Sequence, residues 1–377
     1  MQILIFDMDG VLLEPNGYHR ALQETVRLTS LALGFEAFTL LPEDIARFES
    51  IGISNEWHSS AFCMALMVIE ALKHDLQFNV GIQLEIPEIV PRPLCLHLGR
   101  RLSLIGGRII QQPAIRRVVD AIDRIARIEG VDPDLAISIV ETSDSIEHSL
   151  TFNVFQELVL GSVMYEQTYD KKSQLNRESY LKMYDLALLG SETRAALLSW
   201  LEDPMHCAAI MTNRPSNSLF RMHATSEAEL GASLVGLDQV PLIGFGEMSW
   251  LAGKKNVDVA TLLKPGAQHA LAAILAASGL AIEESLHRAH SVISEEGDLD
   301  FEILDRSSIY VFEDTPAGIL AVENAATMLK SAGIRIEVEK IGISHSHTKR
   351  KALDQIGAKV QASVDEALDS AILINDP

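Results

Sequence analysis

Two aspartates, Asp7 and Asp9, follow the apolar run Ile3–Ile5 and precede Gly10. A short apolar run of this kind predicts a buried strand, and open α/β sheets collect their chemistry at the carboxyl ends of such strands. Carboxylates this close to each other and to apolar chain repel and resist desolvation, so they need a proton or a cation. A divalent metal with oxygen ligands meets that need. If the chain stays extended, residues 7 and 9 share a face, and Gly10 then lets it turn sharply. One carboxylate can attack phosphorus while the other moves protons on and off the leaving and entering oxygens. The same residues also suit a plain strand-end turn capped by Asp, so the rest of the chain must separate the two readings.

Three later segments repeat the pattern of an apolar strand breaking into polar residues. Cys207–Met211 leads into Thr212, Asn213 and Arg214. The Thr212 hydroxyl and nearby backbone N–H groups are donors able to neutralise charge on phosphoryl oxygens. The plainer alternative is that Thr212, Asn213 and Ser216 turn the chain and cap the next helix. Next comes Leu262-Leu263-Lys264-Pro265, with a helical pattern over Ala270–Ala277. Lys264 would offset negative charge in the site; Lys254 and Lys255 are rivals for that part. Finally, the apolar run ending at Phe312 delivers Glu313 and Asp314 into Thr315-Pro316-Ala317-Gly318. These are two more strand-end carboxylates, and they equally suit an acidic helix start with Thr315 as cap and Pro316 at the first position.

Four such segments in this order resemble the haloacid dehalogenase-like (HAD) hydrolase superfamily, in its phosphatase and β-phosphoglucomutase-like branch. The first has the common DGVL form in Asp9-Gly10-Val11-Leu12, and the fourth is similar to FEDSxxG. The resemblance implies that Asp7 is the nucleophile, Asp9 the general acid/base and Lys264 the partner of nucleophile and phosphate. It also implies phosphate binding at Thr212, with Asn213 and Arg214 beside it in substrate binding. Mg²⁺ would be held by Asp7, the Asp9 backbone carbonyl, Glu313 and Asp314. Relatives that cleave carbon–halogen or carbon–phosphorus bonds lack an acid at the position of Asp9, and ion pumps carry Thr there. The implied activity is therefore Mg²⁺-dependent hydrolysis of a small phosphorylated metabolite through an aspartyl phosphate. The alternatives are a phosphomutase of β-phosphoglucomutase type and a phospholigand-binding protein without turnover.

The elements that must position these residues read as an α/β, Rossmann-like parallel sheet core with a large, mainly helical cap domain. Strands at 207–211, 308–312 and 334–343 alternate with helical patterns, which argues for a parallel sheet with helices on both faces. The core is expected to comprise residues 1–15 and 191–377, with the cap as an enlarged insertion over 16–190. Spacings of three and four predict cap helices over Tyr18–Leu33, Glu56–Lys73, Ala114–Glu129, Asp134–Glu147 and Arg177–Leu189. With 377 residues and 47% hydrophobic content, the chain can bury two cores. A cap that closes over a site excludes water and contacts the non-reacting part of a substrate.

Between Arg92 and Arg127 lie eight arginines (92, 100, 101, 108, 116, 117, 124 and 127) against the acids Asp120 and Asp123. Arginine grips phosphates and carboxylates well, but a solvated helix face with local ion pairs is the favoured reading. Gly106-Gly107 suits a bend or hinge there. Elsewhere, 31 basic and 52 acidic residues give a net charge of −21, which opposes nonspecific nucleic-acid binding. Cys63, Cys95 and Cys207 show no paired or metal-like spacing, so a reduced, cytoplasmic protein is expected, and Cys207 should pack in a strand. No signal peptide is expected, since a predicted core strand leaves no room before it for a charged n-region and an apolar h-region, and no membrane span is expected, since no apolar stretch approaches about 20 residues. His287 with His290 and His345 with His347 lack the company a zinc site requires. Lys349, Arg350 and Lys351 are expected on an exposed helix face. Oligomeric state is not readable.

Overall fold

The first strand forms because four consecutive residues, Ile3, Leu4, Ile5 and Phe6, are apolar and each is wholly buried. Each contributes on the order of 2 kcal/mol by leaving water. Burial on both faces is the signature of a parallel strand between two helical layers. The computed structural model describes residues 1–51, 53, 55–74, 76, 81–105, 114–217, 225–293 and 301–373. Arg108, Gly106 and Gly107 lie outside them.

In chain order the strands are β1 (Gln2–Phe6), β2 (Leu13–Glu14), β3 (Leu186–Ala187), β4 (His206–Met211), β5 (Leu242–Ile243), β6 (Ser307–Glu313), β7 (Ile336–Ile343) and β8 (Lys359–Gln361). Six of them make one sheet in the order β5-β4-β1-β6-β7-β8, and every pairing in it is parallel. The protein is thus an α/β fold with a Rossmann-like core. After β1 the chain builds outward on one side through β4 and β5, then crosses to build β6, β7 and β8 on the other. That reversal beside β1 is where open sheets leave a crevice for ligands.

Alternation along the strands assigns side chains to two separate cores. Ile3 and Ile5 of β1, Ala209 and Met211 of β4, and Ile309 and Val311 of β6 pack with the helices Ala267–Ala277, Ile282–Ile293 and Pro316–Ser331. Leu4, Phe6, Ala208, Ile210 and Phe312 pack on the opposite face with Leu197, Trp200, Ala228 and Val364. The period of two therefore fixes where the next residues go. Asp7 and Glu313 carry the parity of the face that holds Ala267–Ala277, and the sheet register pairs Phe6 with Phe312 just before them.

The chain divides into two compact units, one of Met1–Pro15 with Asp185–Pro377 and the other of Asn16–Tyr184. The return to the first unit falls at Asp185 rather than at residue 191. The second unit is helical, and its helix Glu56–Lys73 is buried on every side from Ser59 to Ile69. Asn55 starts that helix, its side chain accepting the Trp57 N–H at 2.9 Å. The helix Ala114–Glu129 has the predicted bounds, and Asn16–Ala32 shifts by a residue or two.

Two predicted helices change. Asp134–Glu147 stops at Glu141, where the Thr142 hydroxyl turns back to the Ser138 carbonyl at 2.8 Å. Over Arg177–Leu189 only Tyr180–Tyr184 is helical. The residues after it, Leu186–Ala187, pair antiparallel with Leu13–Glu14 as a two-stranded ribbon. Tertiary pairing overrides the periodicity there.

The predicted basic surface of this unit is mixed. Arg101 is buried against Glu70 at 2.9 Å and Glu129 at 3.2 Å, and Arg117 is buried with its guanidinium on the Ile51 carbonyl at 2.8 Å. Arg92, Arg100, Arg116, Arg124 and Arg127 are exposed, with Arg127 paired to Asp123 at 2.8 Å. No helix among the described residues is long and apolar enough to cross a membrane.

Candidate active site

Asp7 leaves the sheet with its N–H donated to the Phe312 carbonyl at 2.9 Å, one more rung of the β1–β6 ladder. Its carboxylate meets Lys264, whose Nζ donates to Asp7 Oδ1 at 2.6 Å and to Glu313 Oε1 at 2.9 Å. Lys264 stands just before the helix Ala267–Ala277, on the face that strand parity assigns to Asp7 and Glu313. All three side chains are buried. Lys254 and Lys255, the rival lysines, lie instead in the last turn of Phe245–Lys255, with Lys254 over the Trp250 ring at 5.8 Å.

Glu313 is held from two sides. Its Oε2 accepts the Thr315 N–H at 2.8 Å and the Thr315 hydroxyl at 3.1 Å. Thr315 does occupy the cap position with Pro316 following, but its side chain serves Glu313 rather than the helix. A Cβ at Gly318 would collide with the Glu313 carboxylate, which is why that turn needs glycine. Gly10, at φ +81°, plays the same part for Asp314, whose carboxylate would be struck by any Cβ there.

Asp7, Glu313 and Asp314 can bring one carboxylate oxygen each within 4.8 Å of the others, and they are the one such cluster among the described residues. The histidine pairs 287/290 and 345/347 join no such group. Crowding shows in the acidities. Burial, then the Glu313 charge, pushes the Asp7 carboxyl well above the usual carboxylate range, against the pull of Lys264. Burial also pushes Asp314 up to about 6, with Lys349 pulling the other way. Lys264 is itself raised: burial works against its charge, but Asp7 and Glu313 outweigh it. Three buried carboxylates with only oxygen donors fit a hard divalent cation such as Mg²⁺, which would relieve the repulsion that raises Asp7 and Asp314.

Lys349 was not foreseen here. It lies on the helix His347–Gln355 and is exposed there, as expected, while its Nζ reaches the Asp314 carboxylate. Arg350 donates to the Ser344 carbonyl at 3.1 Å at the end of β7.

Thr212 follows directly on β4, buried, with its hydroxyl oxygen accepting the Arg214 N–H at 3.1 Å. The hydroxyl hydrogen is left to donate elsewhere. Asn213 is exposed, and Ser216 hydrogen-bonds Glu247 and accepts the Gly246 N–H at 2.8 Å. Arg214, expected to bind substrate, is 3% exposed and committed inside the protein. Its Nη2 lies 2.6 Å from Asp9 Oδ1 and 2.9 Å from Asp185 Oδ2. Asp9 is therefore not in the carboxylate cluster of Asp7; its side chain faces the arginine. Asp185 was missed because its surroundings read as a helix.

The structure is similar over 99% of this chain and 100% of the other to a protein solved by X-ray crystallography as a Northeast Structural Genomics Consortium target, with TM-score 0.70 and 17% identity. That likeness is one of fold. Weaker matches are Phosphatase Tt82 from Thermococcus thioreducens (TM-score 0.43, 13% identity, 94% of this chain and 99% of that one) and a hydrolase from Pseudomonas syringae (TM-score 0.37, 12% identity, 100% of both). No protein-family model and no curated protein matches the chain.

Proposed function

We propose that the protein is a Mg²⁺-dependent phosphohydrolase of HAD type, acting on a small phosphorylated metabolite through a phosphoaspartyl intermediate. One observation carries this reading: Asp7, Glu313 and Asp314 converge, buried, at strand ends beside the topological switch, with Lys264 bridging two of them. A structural turn has no use for so many buried charges, since each costs several kcal/mol to desolvate.

Asp7 is the nucleophile. One of its oxygens forms a bond to phosphorus as the ester P–O bond breaks, and Asp9 gives a proton to the departing alkoxide. Asp9 then takes a proton from water, whose oxygen attacks phosphorus and frees Asp7 and phosphate. Lys264 favours the ionised form of Asp7 against the effect of burial and offsets charge on the phosphoryl oxygens, and the Thr212 hydroxyl donates to one of them. Mg²⁺, held by Asp7, Glu313 and Asp314 with the Asp9 carbonyl, would supply charge stabilisation when bound. Residues 16–184 take the part of the cap, and the protein acts in the cytoplasm on a metabolite rather than on nucleic acid or membrane.

The test is phosphate release from a panel of phosphorylated sugars, nucleotides and small acids, with and without Mg²⁺, beside Asp7→Asn. Release that requires both Mg²⁺ and Asp7 is the expected result. Full activity in a pure Asp7→Asn preparation would overturn the nucleophile, and isomerisation without phosphate release would favour a phosphomutase.

A further inference from the structure

Arg214 and Asp185 are the most deeply buried ion pair near the site, with side chains 1% and 0% exposed. Taking both ions out of water costs several kcal/mol apiece, and apolar side chains would tie the same loops together without that cost. The arrangement has to be explained by what the pair holds, which is Asp9. We propose that Asp185 and Arg214 are positioning residues that aim the Asp9 carboxylate for proton transfer, an inference that rests on the phosphohydrolase reading.

The geometry is specific to arginine. Nε donates to both Asp9 oxygens, at 2.9 and 3.1 Å, while Nη2 is shared between Asp9 Oδ1 and Asp185 Oδ2. One edge of the guanidinium thus lies along the Asp9 carboxylate in a fork that an ammonium cannot reproduce. The Arg214 backbone is pinned as well. Its N–H bonds the Thr212 hydroxyl, and its carbonyl accepts the Phe245 N–H at 3.0 Å. A single residue therefore orients the acid/base and the phosphate-binding hydroxyl.

Asp185 is fixed in turn by the residues on its C-terminal side. Leu186–Ala187 pair with Leu13–Glu14, and the Leu188 N–H bonds the Leu12 carbonyl at 2.9 Å. The Gly190 N–H bonds Asp365 at 3.0 Å. Asp9 forms a bridge with Leu13 in the same ribbon, so both carboxylates are registered to one backbone scaffold. Asp9 itself is the exposed member, with a side chain 36% exposed. It must serve two oxygens in succession, the leaving one and the entering one, and misplacement by about 1 Å is enough to cost 100-fold.

The experiment uses Arg214→Lys and Asp185→Asn in the full chain, each checked for native circular dichroism. Two Mg²⁺-loaded assays are run: p-nitrophenyl phosphate in pre-steady-state mode, and steady-state turnover of the alkyl phosphate that the native chain hydrolyses fastest. Nitrophenolate leaves without needing a proton, whereas an alkoxide does need one, and the second step needs a base in both cases. The expected result is a burst of about one nitrophenolate per chain followed by slow turnover, because the intermediate accumulates. On the alkyl phosphate, kcat falls by about 100-fold with KM nearly unchanged and no burst. Equal losses on both substrates without a burst, full activity, or failure of both variants to fold would each overturn the positioning role. A native chain inactive on every phosphate ester would instead sink the phosphohydrolase reading itself.

Discussion

Replacing Lys264 with methionine removes the one ammonium shared by Asp7 and Glu313 and leaves a side chain of similar length. The lysine lies 2.6 Å from one carboxylate and 2.9 Å from the other. At an effective dielectric of about 20, each contact is worth roughly 6 kcal/mol of attraction, much of which is offset by the cost of burying the ammonium. The net penalty for stranding a buried partner is about 3–5 kcal/mol. The variant answers by protonating: Asp7, already raised, rises further. Between the ordinary carboxylate range and that raised value the folded chain holds more protons than the unfolded one, so the variant loses stability as pH rises. Urea denaturation of native and Lys264→Met chains at pH 5, 6, 7 and 8 measures this directly. The gap should widen as pH rises and shrink as it falls. Added Mg²⁺ should narrow it, because the variant's uncompensated carboxylates bind the cation more tightly. A gap under about 1 kcal/mol, or one indifferent to both pH and Mg²⁺, would refute the account of Lys264 as the site's internal counter-ion.

Gly10→Ala should destabilise the chain by about 1–2 kcal/mol for the positive φ alone. It should also weaken Mg²⁺ binding in calorimetry, because the new methyl displaces the Asp314 carboxylate; an unchanged melting temperature and affinity would contradict the collision. His269, wholly buried with Nε2 2.9 Å from the Ile243 carbonyl, is pushed down to about 3 by burial and then by Lys264. The unfolded imidazole titrates near 6.5, so its stabilising effect is complete above that pH and is lost as pH falls toward 3. His269→Gln should therefore reduce the loss of stability between pH 7 and 5 by about 2 kcal/mol, and equal slopes in native and variant urea titrations would count against it. Lys349→Ala removes a cation from Asp314 and should tighten Mg²⁺ binding about 3- to 10-fold, discounted for its half-exposed side chain. Weaker binding in calorimetry would mean that Lys349 organises Asp314 for the metal rather than competing with it.

What the sequence revealed depends on how locally each feature is encoded. β1, β4 and β6 announce themselves because they are buried on both faces, and the parity of each strand carries its terminal acid or hydroxyl to a definite side. Asp7 and Glu313 share a side for this reason: Asp7 continues the parity of Ile3 and Ile5 just past β1, and Glu313 continues that of Ile309 and Val311 as the last residue of β6. Helix Glu56–Lys73 was equally plain, since an apolar segment of that length has few other ways to satisfy its backbone. The ribbon of Leu13–Glu14 with Leu186–Ala187 was invisible. Two residues give no alternation, Leu186 is exposed, and the partner strand lies far away in sequence.

The compensating charges were hidden by the same non-locality. Arg214 stood out beside Thr212 as a polar residue at a strand end, and nothing nearby shows that its guanidinium turns to Asp9 and Asp185 instead of outward. Lys349 sits in a basic run that is indistinguishable from a solvated helix face until β7 and the helix after it bring the residue to Asp314. Carboxylates that do the chemistry must emerge from strands and so leave a pattern, whereas a counter-charge can be delivered by any element that passes within reach. An acidic strand end without a basic neighbour in sequence is therefore an incomplete site rather than an unbalanced one. Here the missing charge is supplied across 257 residues by Lys264, across 205 by Arg214 and across 35 by Lys349.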